Sequence, residues 1–157
     1  SPLPAAQLRY IVKDQDDILA LLGFSAAAWK TAPRDTFIGW DPQRRKQNLH
    51  RVVNNSRFLV LPCVQSKTLA SRILSMAGKR LPSDWQARYH YRPVLLETFV
   101  EKVRFEGTCY KAANWIYVGD TQGRGKLDVR HEHKVPVKAV WVYPLHRHYR
   151  DQLGGVR

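Results

Sequence analysis

One segment, residues 93–100 (PVLLETFV), restricts the fold more than any other part of the sequence. It is apolar throughout except for Glu97 and Thr98. Such a run is typical of a strand that is buried on both faces, usually in a parallel sheet covered by helices. We therefore predict an α/β domain with a mixed, centrally parallel sheet flanked by helices.

The rest of the chain supplies the other elements of this sheet. Apolar or alternating runs predict further strands at 8–13, 18–29, 36–40, 58–61, 115–119 and 140–145. We expect the first two of these strands to form a hairpin around a turn at 14–17. Helical spacing and capping residues predict helices at 42–53, 66–81 and 108–114. We expect Asn54 and Asn55 to end the first helix and Pro82 to end the second. A basic loop spans 120–138.

Charge is the strongest functional signal in the sequence. The chain of 157 residues has 26 Lys and Arg against 13 Asp and Glu, which gives a formal net charge of +13. The stretch 42–83 contains no acidic residue. Because no neighbouring carboxylate neutralises this stretch, we predict that it binds a polyanion, most simply the phosphates of DNA or another nucleic acid. The alternative is a basic surface without a specific ligand.

Composition excludes several other classes of protein. Only Cys63 and Cys109 are present, so the chain is not a disulfide scaffold, and we expect a cytoplasmic location. No apolar run is long enough to cross a bilayer, which excludes a membrane protein. The histidines do not have the spacing of a metal site, so we expect no metal. The length suits a single domain over residues 1–157.

Two positions are candidates for chemistry. Glu97 lies among apolar residues, where a carboxylate is costly to bury unless it is used or paired. It is a general acid or base at the mouth of the sheet, one partner of an ion pair with an arginine, or simply exposed at the end of the strand. Cys109 begins a short predicted helix, where a thiol can be activated, although a small buried residue is the plainer interpretation.

The candidates for nucleic-acid contact are basic or amide residues in three regions. They are Arg44, Arg45, Lys46 and Arg51 in the first helix; Asn54, Asn55, Arg57, Lys67 and Arg72 around the second strand–helix unit; and Arg124 and Lys126 in the loop. Such side chains contact phosphates, and the amides could also contact bases. Asn54 and Asn55 could instead serve only to stop the helix.

Six blocks in order resemble a bacterial family. They are RVVNNSRFLVLP (51–62), LASRIL (69–74), DWQARYHYRPVLLETFV (84–100), RFEGTCYKAANW (104–115), GDTQGRGK (119–126) and VKAVWVYPL (137–145). These blocks resemble the DruA-like family, which is named for a protein of the Druantia anti-phage defence system. Related domains are also associated with transposases of mobile elements. The resemblance implies defence or transposition as the setting, and an N-terminus shortened relative to the family.

The order of elements also resembles the N-acetyltransferase (GNAT) fold. In that fold a Gly-rich loop before the long helix binds the pyrophosphate of coenzyme A. The matching residues 64–70 contain no glycine, so we expect no cofactor, with acyl-coenzyme A as the alternative. The resemblance implies that Tyr110 lies close to the position where the fold can have a tyrosine that protonates the leaving thiol. It also implies that Glu97 lies at a position where the fold sometimes has a catalytic group.

Two functions follow. The first is a nucleic-acid-binding accessory domain of a defence or transposition system, with a transposase or other defence proteins as partners. The second is a GNAT-like enzyme that transfers an acyl group to a nucleic acid or a protein.

Overall fold

The computed structural model describes residues 6–62, 66–102, 108–122 and 136–156. Within these residues, six strands form one sheet in the order β1-β2-β3-β4-β6-β5. The strands are β1 (Gln7–Asp14), β2 (Asp17–Ala26), β3 (Val52–Val60), β4 (Leu95–Glu101), β5 (Ile116–Asp120) and β6 (Lys138–Pro144). The helices are α1 (Ala32–Ile38), α2 (Pro42–Asn48), α3 (Lys67–Tyr89), α4 (Thr108–Ala112) and α5 (Tyr149–Leu153).

The prediction of a centrally parallel sheet is correct for only one pair of strands. β3 and β4 run parallel and pair from Val52 with Leu95 to Asn54 with Glu97. The other described pairings are antiparallel. The apolar run of β4 misled this prediction, because a strand buried on both faces can have an antiparallel neighbour, here β6.

Helices cover both faces of the sheet around β4, as its apolar sequence predicts. Leu96 belongs to a core cluster with residues of α3 such as Leu74 and Trp85. Its neighbour Leu95 belongs to a second cluster with Ile38 of α1 and other residues of the opposite face. Because successive side chains of a strand point to opposite faces, β4 is buried between two helical layers.

Three predicted boundaries are wrong. Residues 36–40, predicted as a strand, belong mostly to α1, because Pro33 in its first turn favours a helix start. The predicted helix 42–53 ends at Asn48, and a 3₁₀ turn over Leu49–Arg51 leads into β3. Asn54 and Asn55 therefore lie in a strand and do not end a helix. Their position is set by pairing with β2 and β4, which local sequence does not reveal.

Pro82 does not end the long helix. α3 continues through it to Tyr89. A proline inside a helix costs about 3 kcal/mol. Leu81 and Trp85 on either side are both fully buried against the sheet. Each contributes about 1.5–3 kcal/mol through burial, which is enough to keep the helix continuous.

The predicted catalytic candidates lie around a fork in the sheet. After Asn54 and Glu97, β3 stays paired with β2 as far as Val60, while β4 stays paired with β6 as far as Glu101. The two parallel strands therefore separate. A crevice beyond the carboxyl ends of parallel strands is where open α/β sheets usually bind ligands.

Candidate functional site

On the face covered by α3 and α4, the side chain of Asn55 holds the fork together. Its amide nitrogen donates to the carbonyl oxygens of Gly23 at 3.0 Å and Arg57 at 3.1 Å. Its amide oxygen accepts from the Tyr110 hydroxyl at 2.6 Å, and the Thr98 hydroxyl donates to the Asn55 carbonyl at 3.0 Å. Asn55 thus joins a bulge between β2 and β3 to β4 and α4.

Burial raises the pKa of both residues of α4 that are candidates for catalysis. Burial raises the pKa of Tyr110 well above its usual range, against the smaller opposite effect of Thr98. Burial also raises the pKa of the Cys109 thiol. A reactive cysteine needs a lowered pKa. Tyr110 is 6% exposed, and its hydroxyl already donates to Asn55. The hydroxyl is therefore not presented to a substrate.

On the opposite face of the fork, Glu97 is one partner of a buried ion pair. Arg34 of α1 donates through Nη1 to Oε1 of Glu97 at 2.6 Å, and the two residues are 0% and 2% exposed. The Asn54 amide donates to the other carboxylate oxygen at 2.9 Å. Both oxygens of Glu97 are therefore engaged. Of the three interpretations of Glu97, the structure shows the ion pair, and a carboxylate that is 2% exposed does not lie at the surface.

The second partner of Arg34 is Asp35. Nε of Arg34 lies 2.9 Å from the Asp35 carboxylate, and Nη2 donates to the carbonyl of Trp29. Asp35 also accepts from the Trp40 indole at 2.8 Å. Arg34 was missed by the sequence analysis because it is 63 residues from Glu97. The Thr-Ala-Pro start of α1 was the available signal that Arg34 lies on a helix.

The basic cluster of the first predicted helix is partly committed to internal contacts. Arg45 lies 3.5 Å from Asp35, and Arg51 donates to the Gln152 carbonyl at 2.8 Å, which anchors the segment containing α5. Arg44 and Lys46 are exposed. The stem of Arg44 packs so closely on Gly154 that an added Cβ there would lie 3.0 Å from it.

The other candidates for nucleic-acid contact divide into exposed, internal and undescribed residues. Arg57 and Arg72 are exposed. Asn55 is buried in the network described above, whereas Asn54 is half-buried and donates to Glu97. Arg124, Lys126 and the side chain of Lys67 lie outside what the structure describes.

A separate pocket of about 790 Å³ lies between α1 and β5. Its lining includes Lys30, Phe37, Tyr117 and Asp120. Both oxygens of Asp120 are engaged, with Lys102 at 2.7 Å and the Tyr117 hydroxyl at 2.6 Å. None of the catalytic candidates Glu97, Cys109 and Tyr110 lines this pocket, so the pocket and the predicted catalytic residues lie in different places.

Two further searches of the described residues were negative. No group of three or more His, Cys, Asp or Glu side chains is arranged to hold a metal ion. No described helix is both long and apolar enough to span a membrane.

Comparison with known proteins gives one family and one fold. Residues 1–139 match a family model described as Druantia protein DruA. No curated protein matches the sequence significantly. A GNAT-family acetyltransferase from Streptococcus pneumoniae is 13% identical with a TM-score of 0.53, over 88% of this chain and 67% of that one.

Two other solved structures were determined with a coenzyme. An acetyltransferase from Bacillus subtilis in complex with CoA is 7% identical over 88% of this chain and 76% of that one, with a TM-score of 0.53. The yncA protein from Salmonella typhimurium with acetyl-CoA is 12% identical over 89% and 65%, with a TM-score of 0.54. At such identities the likeness establishes the fold, and the predicted GNAT-like order of elements is confirmed.

Proposed function

The chain belongs to the Druantia DruA family, and we propose that it is a nucleic-acid-binding component of a bacterial anti-phage defence system. The observation that carries this proposal is the separation of charge in the folded chain. Glu97 and Asp35 are used inside the fold, whereas basic side chains on α2 and α3 face solvent. Phosphates are the usual partners of such a surface.

Several carboxylates already have partners within the chain. Glu97 and Asp35 bind Arg34 inside the fold, and Asp84 binds Arg80 and the Tyr10 hydroxyl. Three exposed acidic residues, Asp14, Asp16 and Asp17, lie together at the β1–β2 turn, and two more, Asp41 and Asp151, are exposed at the start of α2 and in α5. The net charge of +13 is therefore carried mainly by the rest of the surface.

We propose DNA as the polymer, with other proteins of the defence system or a transposase as further partners. A surface that contacts phosphates binds many sequences, because the phosphate backbone carries no direct sequence information. Such a protein would hold DNA for its partners and need no reaction of its own.

The second candidate is a coenzyme A-dependent acyltransferase, and the GNAT fold is the observation that favours it. The residues of the fork do not fit the coenzyme. The Tyr110 hydroxyl donates to the Asn55 side chain, and the Thr98 hydroxyl donates to the Asn55 carbonyl. The Tyr110 ring also contacts the ring of Phe58, with centroids 6.4 Å apart. Residues 64–70 also lack the glycines of a pyrophosphate loop.

Parallel calorimetric titrations distinguish the two candidates. The protein is titrated with a DNA duplex, with acetyl-CoA and with ADP, which serves as the polyphosphate control. The proposal predicts binding to DNA and either no binding or equally weak binding to the two small molecules. Tight binding of acetyl-CoA without binding of ADP would favour the acyltransferase and reject the proposal.

A further inference from the structure

The solvent face of α3 carries a line of cations. The buried side of this helix contains Ile73, Leu74, Leu81 and Trp85. Residues at helical spacing on the other side are exposed. We call this exposed face the α3 ridge and define it by Arg72, Met76, Lys79, Ser83 and Gln86, together with Arg92, which lies beside it.

The cations of the α3 ridge are evenly spaced. At a rise of about 1.5 Å per residue, Arg72 and Lys79 lie roughly 10 Å apart along the helix. Nη1 of Arg92 is 3.4 Å from the Ser83 hydroxyl and 3.5 Å from the Gln86 side-chain oxygen. Its guanidinium therefore extends the line to roughly 20 Å from Arg72.

Little on the ridge competes for these cations. The stretch 42–83 contains no acidic residue, and Asp84 just beyond it is engaged by Arg80 at 3.0 Å. Arg72, Lys79 and Arg92 are all exposed. On α2 and in the 3₁₀ turn that follows it, by contrast, Arg45 and Arg51 respectively are committed to internal contacts. The α3 ridge is thus the better surface for a long polyanion.

The side chains of the ridge indicate which form of nucleic acid it suits. The aromatic residues of α3 do not belong to it: Trp85 is fully buried and Tyr89 is half-buried. Proteins that bind single strands generally stack bases on exposed aromatic rings. A straight row of cations with hydroxyl and amide groups suits a regular phosphate backbone.

We infer that the α3 ridge lies along the phosphate backbone of a DNA duplex. The inference rests on the proposed function and specifies the surface that performs it. Ser83 and Gln86 would add neutral hydrogen bonds to phosphate oxygens between the cationic contacts. Binding of this kind positions the protein on DNA without selecting a sequence.

The test compares double variants that each remove two positive charges. Arg72→Ala/Lys79→Ala alters the ridge, Arg44→Ala/Lys46→Ala alters α2, and Arg9→Ala/Lys13→Ala on β1 is the charge-matched control. All six side chains are exposed, so the variants should fold, which circular dichroism and thermal melting verify. The probe is a fluorescent duplex of about 20 base pairs, roughly three times the length of the ridge.

We expect the ridge variant to bind the duplex roughly tenfold or more weakly, with a salt slope smaller by about 2. The β1 control should change affinity far less. A larger loss in the α2 variant, or equal losses in all three, would overturn the inference while leaving nucleic-acid binding intact. Tighter binding of the wild type to the single strand of the same sequence would also overturn it. If the wild type binds neither form, the proposed function itself fails.

Discussion

Removing one partner of the Arg34–Glu97 pair should destabilise the protein far more than removing both. The pair is completely buried, so a single substitution leaves an uncompensated charge at a cost of about 3–5 kcal/mol. The loss of stability caused by Glu97→Leu should lie near the lower end of this range, because the Asp35 carboxylate, 2.9 Å from Arg34, still neutralises it. The loss caused by Arg34→Met should lie near the upper end, because the neutral Asn54 amide is then the remaining hydrogen-bond donor to Glu97.

The double variant should recover most of this loss, since apolar side chains of similar volume can replace a buried ion pair at little cost. Thermal melting followed by circular dichroism measures the effect. For a domain of this size, about 2–4 °C per kcal/mol gives losses in Tm of roughly 6–20 °C for the single variants. If the double variant loses the sum of the single losses, the residues are not energetically coupled and the reasoning is refuted.

The double variant also tests whether Glu97 has a structural role or a chemical one. If the folded double variant binds nucleic acid and restricts phage to the same extent as the wild type, Glu97 serves only to fix α1 to the fork. Loss of activity in a double variant of normal stability would instead support the predicted acid or base.

Three further predictions concern single residues. Asn55→Ala removes three buried hydrogen bonds and should lower the free energy of unfolding by about 2–4 kcal/mol, and an unchanged urea midpoint would contradict the role assigned to Asn55. Because burial raises its pKa, Cys109 should react with iodoacetamide more slowly than free cysteine at pH 8, whereas equal or faster alkylation would indicate an activated thiol. Burial, followed by the neighbouring Arg51 charge, lowers the pKa of His50 from its usual 6.5. The unfolded chain therefore binds this proton more readily, and stability should fall as the pH drops below about 6.5. An NMR titration giving His50 a pKa above 6.5 would refute this.

Patterns that depend on neighbours along the chain were predicted best. The hairpin of β1 and β2 follows from two apolar runs on either side of a polar turn. Ser66 caps α3 as expected, accepting from the Leu69 amide at 3.3 Å. The burial of β4 on both faces follows from its unbroken apolar sequence. In each case, a few adjacent residues contain the whole signal.

What could not be predicted depends on contacts between distant residues. Asn54 and Asn55 have the local chemistry of a helix stop, but pairing with two other strands places them at the fork. A buried carboxylate at Glu97 implied a partner, yet nothing in the sequence singled out Arg34 among so many arginines. Arg92 joins the α3 ridge only because the chain turns back after α3.

The salt dependence of duplex binding tests the central claim most directly. If binding is carried by phosphate contacts such as the three cations of the α3 ridge, log K falls linearly with log[salt] with a slope of about −3 or steeper. Between about 50 and 200 mM salt the affinity should then fall roughly 60-fold or more. An affinity that does not change over this range would contradict the account, because the charge of the surface would then play no part in binding.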